Sequence, residues 1–364
     1  MEAMQPREFF IEDRLEKYRL HAECNLGESG IRNFSLSTVF NQIGIDANEL
    51  CSISLDDSPN NGSLELRKEI ANLYDGNVSP DNVLVTTGTS EALYIYFHLC
   101  LAKNDQVSLL WPAFQALYEI PMMLQASIRK VDTRFTDLLH KDNRLTIINH
   151  PHNPSGQGLS AMDWDLIEKY SNLYKSSEIL FDEHYRFLDF EKDLSRSGAL
   201  LSENCSATGS ITKCFGVVGL KIGWLIARED IISKARSFKD YLTHTVSPIS
   251  EFLACKILQN RLSIIGPIKK RIQENIAYFS SKAEKIPSLE KFVEPKSGLV
   301  SFPKLRDEIL SESYADDLYT NTGVFVLPGI NFETEGYIRI GFGETVERFR
   351  IGVDRWVEWE SHKK

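Results

Sequence analysis

The sequence predicts an α/β protein in which a large domain with a mostly parallel β-sheet is joined to a smaller α+β domain. Between residues 82 and 226, short apolar segments alternate with polar or glycine-rich turns and helix-like segments. This pattern is typical of a parallel sheet covered by helices. After about residue 250, long helical segments precede short strands. The length of 364 residues is that of about two domains.

The apolar segments of the first part predict strands at Asn82–Thr87, Val107–Leu110, Leu145–Asn149, Glu178–Phe181, Ser210–Thr212 and Gly223–Ile226. Apolar residues at helical spacing predict helices at Glu91–Leu101 and Asp163–Tyr174. Polar residues follow several of these strands, which is where α/β proteins place their binding sites.

The second part predicts helices at Ser250–Leu262, Ile268–Ala283 and Val346–Trp359, and strands at Gly298–Phe302, Gly323–Leu327 and Tyr337–Gly341. We expect three parts: an N-terminal arm that also contributes to the small domain (1–45), a large domain (46–265) and a C-terminal small domain (266–364).

Composition excludes several classes of function. Lys plus Arg number 41 and Asp plus Glu 51, a net charge of −10, which repels the phosphates of nucleic acids. No apolar run approaches the roughly 20 residues of a membrane span, and the N-terminus is too charged for a signal peptide. Six scattered cysteines without a CxxC pair predict reduced thiols in a cytoplasmic protein. The eight histidines form no HExxH motif or Cys/His cluster, so we expect no metal.

Asp182 and Lys213 are the first candidates for chemistry. Asp182 follows the apolar run Ile179–Phe181, where a carboxylate is costly unless it pairs with a cation such as a protonated ring nitrogen of a cofactor. A helix N-cap is the alternative, and this residue alone leaves both open. Lys213 lies among small and apolar residues in GSITKCFG. Lysine is rarely buried unless it is used, although a surface lysine with a packed stem remains the alternative.

A phosphate anchor is predicted at Gly88-Thr89-Ser90, which opens a helix after a strand. Backbone N–H groups at a helix N-terminus bind phosphate, but such turns also occur without a ligand. Ser210 and Lys221, which flank the turn that holds Lys213, complete the anchor. Arg339 lies between apolar neighbours in EGYIRIGFG and suits a bidentate grip on a carboxylate, with an ordinary salt bridge as the alternative.

Three further side chains suit a flat cofactor ring. Phe114, after Trp111-Pro112-Ala113, can stack on it, although a core phenylalanine is the alternative. Asn153 sits in HPHNPSG, where the prolines can aim its amide at a phenolic oxygen or simply form a turn. Tyr185 can reach the same oxygen. Each of these features is ambiguous alone, but their order and spacing together are specific.

The order TTGTSEALY, PAF, NHPHNPSG, FDEHY, SITK, GLKIGW and YIRIGFG resembles the class I/II aminotransferase family over nearly the whole chain. The resemblance implies fold type I, with a seven-stranded, mostly parallel sheet between helices, and pyridoxal 5′-phosphate (PLP) as cofactor. It also implies an amino-acid substrate and a homodimer with sites at the interface.

The resemblance further implies a role for each candidate. Lys213 forms the Schiff base, Asp182 contacts the pyridine nitrogen, and Asn153 and Tyr185 contact the phenolic oxygen. Phe114 stacks on the ring, Arg339 binds the substrate carboxylate, and the phosphate is held by Thr89, Ser90, Ser210 and Lys221.

Two positions depart from the family pattern. The phosphate-binding arginine is replaced by Lys221, which keeps the charge but loses the planar fork. A tyrosine that reaches the partner subunit's cofactor is replaced by Asp57, in LDDSPNNG. With this second departure, the chain resembles a small group of PLP-dependent cyclases that act on hydroxylated arginine. The resemblance is also carried by the segments CNLGESGIRNFSL, DYLTHTVSP and PKSGLVSFP.

That narrower resemblance implies removal of the α-proton by Lys213, loss of a side-chain hydroxyl as water, and ring closure by the substrate's guanidine. A β-hydroxyl leads to the six-membered ring of capreomycidine and a γ-hydroxyl to the five-membered ring of enduracididine. We take the γ-position as the working choice, although nothing in the residues decides it. Asp57 is our first candidate for the guanidinium, followed by Glu28, Asp56 and Glu12, and for Asp56 and Glu12 a solvated surface role is the favoured alternative. Ser29-Gly30 is expected near the substrate carboxylate.

Three other functions stay open at this point. A plain aminotransferase needs the same residues but also a 2-oxoacid acceptor. A PLP-dependent arginine oxidase consumes oxygen with unmodified arginine. A ligand-sensing module on the same fold is disfavoured, because we expect no DNA-binding segment before Phe10 and the chain is acidic.

Overall fold

The structure is a computed structural model that describes residues 5–74, 76, 78–132 and 135–363. The helices are α1 (Phe10–Arg19), α2 (Leu36–Ile43), α3 (Ala47–Cys51), α4 (Leu64–Ala71), α5 (Gly88–Cys100), α6 (Ala116–Met123), α7 (Phe135–Leu138), α8 (Ala161–Leu173), α9 (Glu229–Lys239), α10 (Pro248–Gln259), α11 (Arg261–Ala283), α12 (Ser311–Thr322) and α13 (Val346–His362). The strands are β1 (Cys24–Asn25), β2 (Val83–Thr87), β3 (Gln106–Leu110), β4 (Ser127–Val131), β5 (Leu145–Asn149), β6 (Glu178–Asp182), β7 (Cys205–Ser210), β8 (Ile222–Ile226), β9 (Leu289–Lys291), β10 (Val300–Ser301), β11 (Lys304–Leu305), β12 (Val324–Phe325), β13 (Leu327–Pro328) and β14 (Ile338–Gly341).

The predicted α/β fold with a mostly parallel, seven-stranded sheet is confirmed. The strand order is β2-β8-β7-β6-β5-β3-β4. Strand β8 runs antiparallel to both of its neighbours, and the remaining pairs are parallel. The carboxyl ends of β5, β6 and β7 therefore lie side by side at one edge of the sheet.

Burial explains which strands the sequence predicted well. Every residue of β5 and β6 is buried, so both strands are continuous apolar runs, as expected at the centre of a parallel sheet. Strand β4 is at the edge, and four of its five residues are at least partly exposed. Its polar sequence, Ser-Ile-Arg-Lys-Val, follows from this edge position, and we did not predict it as a strand.

The predicted break between the two long C-terminal helices was misplaced. We expected it between residues 262 and 268, but α10 ends at Gln259 and α11 continues through Pro267. A proline removes only its own N–H from the helical hydrogen bonds. Burial of Ile264, Ile265 and Ile268 holds the helix on both sides of that lost bond. The expected domain boundary at 265/266 falls inside α11, and the three-part division stays a prediction.

The N-terminal residues pack against the C-terminal part of the chain. Strand β1 pairs in parallel with β12. On α1, Ile11 and Leu15 are buried against Phe325 and Phe332. The two distant ends of the chain thus meet, and the residues that follow β1 are carried toward the edge of the large sheet.

Within the described ranges, none of the helices is long and apolar enough to cross a membrane. Over the same ranges, no three His, Cys, Asp or Glu side chains come together as a candidate metal site.

Candidate active site

Asp182 is the most buried carboxylate at the edge of the sheet where β5, β6 and β7 end. It is 1% exposed and lies beside Asn149 on β5 and Thr208 on β7. Asn149 Nδ2 donates to Asp182 Oδ2 at 3.0 Å, and Thr208 Oγ1 donates to Oδ1 at 3.0 Å. Asp182 therefore belongs to a row of three polar side chains on adjacent strands.

This arrangement decides between the two interpretations of Asp182. No helix begins at Asp182; a short 3₁₀ turn begins at Arg186, with Tyr185 at its cap position. Burial raises the pKa of Asp182, and His184, Thr208 and Asn149 lower it in part. The carboxylate therefore lies in a site where an added cation would be favoured.

Lys213 follows β7 and lies close to residues 26–34 of the N-terminal arm. This segment is called the arm below. Its carbonyl accepts from Ile31 N at 3.0 Å. A Cβ at Gly30 would lie 3.3 Å from Lys213 Cδ, so the arm passes directly over the lysine stem. Burial lowers the pKa of Lys213, while Glu28 and Glu12 raise it in part. A lowered pKa increases the fraction of neutral, nucleophilic amine.

Arg339, on β14, is 1% exposed and reaches from the small sheet to the large one. Its Nη1 donates to Asn153 Oδ1 at 3.1 Å, and its Nη2 donates to the Gly27 carbonyl at 2.7 Å. Its Nε is buried without a hydrogen-bond partner among the described residues. Burial lowers the pKa of Arg339. The described hydrogen bonds of Arg339 thus go to neutral groups, whereas the alternative, an ordinary salt bridge, requires a carboxylate partner.

Asn153 and Tyr185 lie beside Arg339 and the arm, and both form hydrogen bonds within the protein. Asn149 Oδ1 accepts from Asn153 N at 2.6 Å, which links Asn153 to the Asp182 row. Tyr185 is 2% exposed, and its hydroxyl donates to the Ser29 carbonyl at 2.8 Å. Tyr185 thereby also holds the arm.

The residues of the predicted phosphate anchor lie on neighbouring elements, the start of α5, the end of β7 and the start of β8. Thr89 is buried in the first turn of α5 and donates to the Gly209 carbonyl at 3.3 Å. Gly223 on β8 lets this turn approach, because a Cβ there would meet Gly88 C at 2.5 Å and Thr89 N at 2.6 Å. The first N–H groups of a helix have no partner within it, so α5 presents free donors here.

The other anchor residues differ in exposure. Ser210 is 1% exposed, and its Oγ lies 2.9 Å from Thr212 Oγ1. Ser90 and Lys221 are exposed, and Lys221 has a left-handed backbone with φ of 52°. Phe114 is partly exposed and packs against Phe9 with ring centroids 5.4 Å apart.

An acidic cluster, Glu12 and Glu28, faces Lys213 and Arg339. These two carboxylates raise the pKa of both cations in part. The cluster already contacts a guanidinium of the chain: Arg19 Nε is 2.9 Å from Glu28 Oε1, and Arg19 Nη2 is 3.0 Å from Glu12 Oε2. Glu12 shares Arg19 with Glu28 while its side chain stays 46% exposed, so the favoured solvated role for Glu12 is not contradicted.

Asp57 and Asp56 do not join this cluster within one chain. Both are exposed. Asp57 Oδ1 accepts from Thr245 Oγ1 at 3.3 Å, and Asp56 Oδ2 accepts from Ser54 Oγ at 2.5 Å. Our first candidate for the guanidinium therefore lies on the surface, where its described contact is with Thr245.

Comparison with known proteins decides the family. Residues 55–355 match the family described as aminotransferase class I and II. This chain belongs to that family. Its cofactor is PLP, since the enzymes of this family with which it shares a fold are PLP-dependent.

Three relatives illustrate the similarity. Capreomycidine synthase from Streptomyces vinaceus is 25% identical over 347 residues, which cover 91% of this chain and 88% of that protein. A PLP-dependent aminotransferase from Streptococcus suis 89-1591 has a TM-score of 0.91 at 23% identity, covering 99% of this chain and 100% of that one. The PLP-dependent cyclase OrfR has a TM-score of 0.90 at 23% identity, covering 100% of both chains.

The residues present fit this cofactor. PLP offers a protonatable ring nitrogen, an aldehyde and a phosphate. The structure offers a buried carboxylate at Asp182, whose oxygens accept from the neutral donors Asn149 and Thr208, and a lysine of lowered pKa at Lys213. Arg339 Nε is buried without a hydrogen-bond partner among the described residues, so it suits an anionic ligand near Asp182 and Lys213.

Sequence reasoning missed several polar residues of this site. Asn149 could have been found, since it ends an apolar strand at the same level as Asp182. Thr208, His184 and Arg19 carry no comparable signal, because their roles depend on neighbours distant in sequence. Cys214 follows Lys213 in the sequence. It is fully buried, its Sγ lies 3.1 Å from the His184 carbonyl, and burial raises its pKa.

Asp182→Asn is expected to stabilise the cofactor-free protein at neutral pH. Because burial raises the pKa of Asp182, the folded protein retains a proton that the unfolded chain loses above about pH 3.9. The free energy of unfolding therefore falls as pH rises through the folded pKa. The amide removes this cost, and the Thr208 hydroxyl can accept from it instead of donating.

Urea unfolding of wild type and Asp182→Asn between pH 4 and 8 tests this expectation. The stability gap should be present at neutral pH and close toward pH 4. Asp165→Asn, at an exposed position on α8, is the control and should show no such gap. A gap that widens on acidification contradicts the raised pKa of Asp182.

Proposed function

We propose that this protein is a PLP-dependent cyclase that converts a hydroxylated L-arginine into a cyclic guanidine amino acid with loss of water. The observation that carries the proposal is the acidic cluster beside Lys213. Glu28 and Glu12 contact the guanidinium of Arg19 at 2.9 and 3.0 Å, so this part of the site has the charge and spacing to hold a guanidinium.

Cofactor binding is assigned to the row of residues at the sheet edge. Asp182 would hold the pyridine nitrogen, and Lys213 would bind the aldehyde carbon. Asn153 and Tyr185 would contact the phenolic oxygen, and Phe114 would stack on the ring. The phosphate would be held by Thr89, Ser90, Ser210 and Lys221.

Substrate binding uses the two charged ends of the site. Arg339 would bind the α-carboxylate through its unpartnered Nε and its Nη groups, in the bidentate geometry that arginine favours. Ser29 and Gly30 contribute backbone contacts on the same side. Glu28 and Glu12 would hold the guanidinium of the substrate, which takes the place of Arg19.

Bound PLP makes the α-proton acidic by withdrawing electrons from the Cα of the attached substrate. The neutral Lys213 amine accepts that proton. The side-chain hydroxyl leaves with one proton as water. A guanidine nitrogen bonds to the carbon left unsaturated and loses one proton. Lys213 then returns a proton to Cα, so the net change is loss of one water.

The position of the hydroxyl sets the ring size. A β-hydroxyl leaves directly and gives a six-membered ring. A γ-hydroxyl requires one more proton to be removed from Cβ before the hydroxyl leaves and returned to Cβ after ring closure, and it gives a five-membered ring. We retain γ-hydroxyarginine as the working substrate and β-hydroxyarginine as its alternative.

The similarity to capreomycidine synthase and to the cyclase OrfR supports a cyclase. The similarity to a PLP-dependent aminotransferase supports the second candidate, transamination of an amino acid with a 2-oxoacid. The acidic cluster favours the cyclase, because it calls for a cationic side chain on the substrate.

We further propose a homodimer in which Asp57 reaches the site of the partner subunit. Asp57 is exposed, and its described contact is with Thr245 rather than with Glu28 or Glu12. A two-fold axis places the same exposed segment of each chain against the other. In the dimer, Asp57 would add a third carboxylate to the guanidinium site.

Incubation with β- and γ-hydroxyarginine tests the reaction. We expect one of them to give a product lighter by one water, with no 2-oxoacid required and the cofactor left as the aldehyde. Mass spectrometry identifies the product and NMR its ring size. A ketoacid with the pyridoxamine form of the cofactor indicates an aminotransferase instead, and oxygen uptake with plain arginine indicates an oxidase.

Glu28→Gln is expected to raise KM for the hydroxyarginine substrate by about tenfold or more, because a charge-assisted contact of about 1.5–3 kcal/mol is lost. Glu16→Gln is the matched control. It lies on α1, three residues before Arg19, with its side chain 75% exposed, and its KM should stay at the wild-type value. Equal KM values for Glu28→Gln and wild type contradict the assigned guanidinium site.

Mixing Asp57→Ala and Lys213→Ala subunits tests the shared site. Each variant alone should be impaired, because every site lacks one of the two groups. Random exchange makes half of the dimers hybrid, and each hybrid has one complete site, so about a quarter of wild-type activity should return. No recovery after exchange, with hybrids verified by mass, contradicts the role of Asp57 across the interface.

A further inference from the structure

His184 is a mostly buried titratable side chain that the proposed reaction does not use. It lies between Asp182 and Tyr185, just after β6, with its side chain 17% exposed. Its Nδ1 is 3.1 Å from Ser210 Oγ, and its Nε2 is 3.7 Å from Asp182 Oδ1. One imidazole thus faces both the carboxylate assigned to the ring nitrogen and a hydroxyl assigned to the phosphate.

We propose that His184 is a positioning residue that couples the two ends of the cofactor site, because its imidazole joins Ser210 at the phosphate end to Asp182 at the pyridine end. The inference rests on the cofactor placement given under the proposed function. It extends that placement by assigning a role to a residue outside it.

The backbone explains how one ring reaches both groups. Strands β6 and β7 are parallel neighbours, with Asp182 opposite Thr208. Ser210 follows two residues after Thr208 on the same face of β7. His184 follows two residues after Asp182 and leans toward β7. The imidazole therefore spans the gap between two adjacent strand ends.

The protonation of His184 follows from its surroundings. Burial lowers its pKa, the Asp182 carboxylate raises it in part, and the Lys213 cation lowers it. The other titratable groups against it are Cys214, whose Sγ lies 3.1 Å from the His184 carbonyl, and Tyr185, whose ring centroid is 6.4 Å away. Without a phosphate nearby, the neutral imidazole is favoured.

A neutral imidazole has one donor and one acceptor. With Nε2–H toward Asp182, Nδ1 accepts the Ser210 hydroxyl proton, and Ser210 Oγ can accept from Thr212 at 2.9 Å. A phosphate needs that hydroxyl proton for itself. Ser210 can donate to phosphate and keep its bond to His184 only if Nδ1 gains a proton and becomes the donor. The phosphate dianion and Asp182 both favour that second proton.

Binding of a phosphate-bearing ligand should therefore take up a proton at His184. The probes are 4′-deoxypyridoxine 5′-phosphate, which has no aldehyde for Lys213, and 4′-deoxypyridoxine, which has no phosphate. Titration calorimetry of the cofactor-free full chain, in buffers of different ionisation enthalpy, counts the protons. We expect more uptake with the phosphorylated probe, since any proton gained at the ring nitrogen is common to both.

Two amide variants separate the two contacts. His184→Asn keeps an amide near the Nδ1 position and so keeps the Ser210 contact, whereas His184→Gln places it near Nε2 and keeps the Asp182 contact. We expect His184→Gln to bind the phosphorylated probe about tenfold more weakly and His184→Asn to bind it close to wild type. Both should lose the extra proton, and their affinities for the dephosphorylated probe should match wild type.

Ser210→Ala distinguishes failure of this inference from failure of the cofactor placement. If Ser210→Ala weakens only the phosphorylated probe while both His184 variants bind and take up protons like wild type, the role of His184 is overturned and the placement stands. If Ser210→Ala weakens neither probe, the placement fails and the inference fails with it. If both His184 variants lose affinity equally for both probes, His184 is only a packing residue, and the inference is also overturned.

Discussion

The carboxylate of Asp182 is buried at the end of a central strand, and the site is arranged around that constraint. Two neutral donors from the flanking strands, Asn149 and Thr208, satisfy its oxygens at 3.0 Å each without cancelling its charge. Asn149 also accepts from Asn153 N, and Asn153 contacts Arg339. One row of hydrogen bonds therefore connects the large sheet with β14, and so connects Asp182 with Arg339.

The N-terminal arm completes the site from the opposite direction. Its carbonyls accept from Arg339 and Tyr185, and Ile31 N donates to the Lys213 carbonyl. The same segment carries Glu28 next to Arg19 of α1. Among the described residues, neither the buried Arg339 nor the half-buried Lys213 has a carboxylate within ion-pair distance, while Glu28 and Glu12 stand near enough to raise the pKa of both cations in part. Charged groups separated in this way are typical of binding sites, because a ligand supplies the missing partners.

Much of the fold and of the site could be predicted from the sequence, for identifiable reasons. Strands β5 and β6 are buried on both faces and so are continuous apolar runs, whereas the edge strand β4 is polar and was missed. The predicted break between the helices at residues 262–268 was wrong, because packing of α11 outweighs the one hydrogen bond lost at Pro267. Asp182, Lys213 and Arg339 stood out because charged residues among apolar neighbours are rare. Asn149 and His184 did not stand out in the sequence, since polar residues near turns are common.

By itself, the sequence determined the α/β class, the parallel sheet, the family and the charged residues that stand out among apolar neighbours, because these depend on local hydrophobic pattern and on residue type at strand ends. Only the tertiary structure decided which acids stand together. It brought Glu28 and Glu12 to Lys213 and left Asp57 on the surface, since the arm and α1 are placed by packing against β12 and Phe332, at the far end of the chain. Contacts between residues some three hundred positions apart have no local sequence signal, so their geometry appears only once the chain has folded.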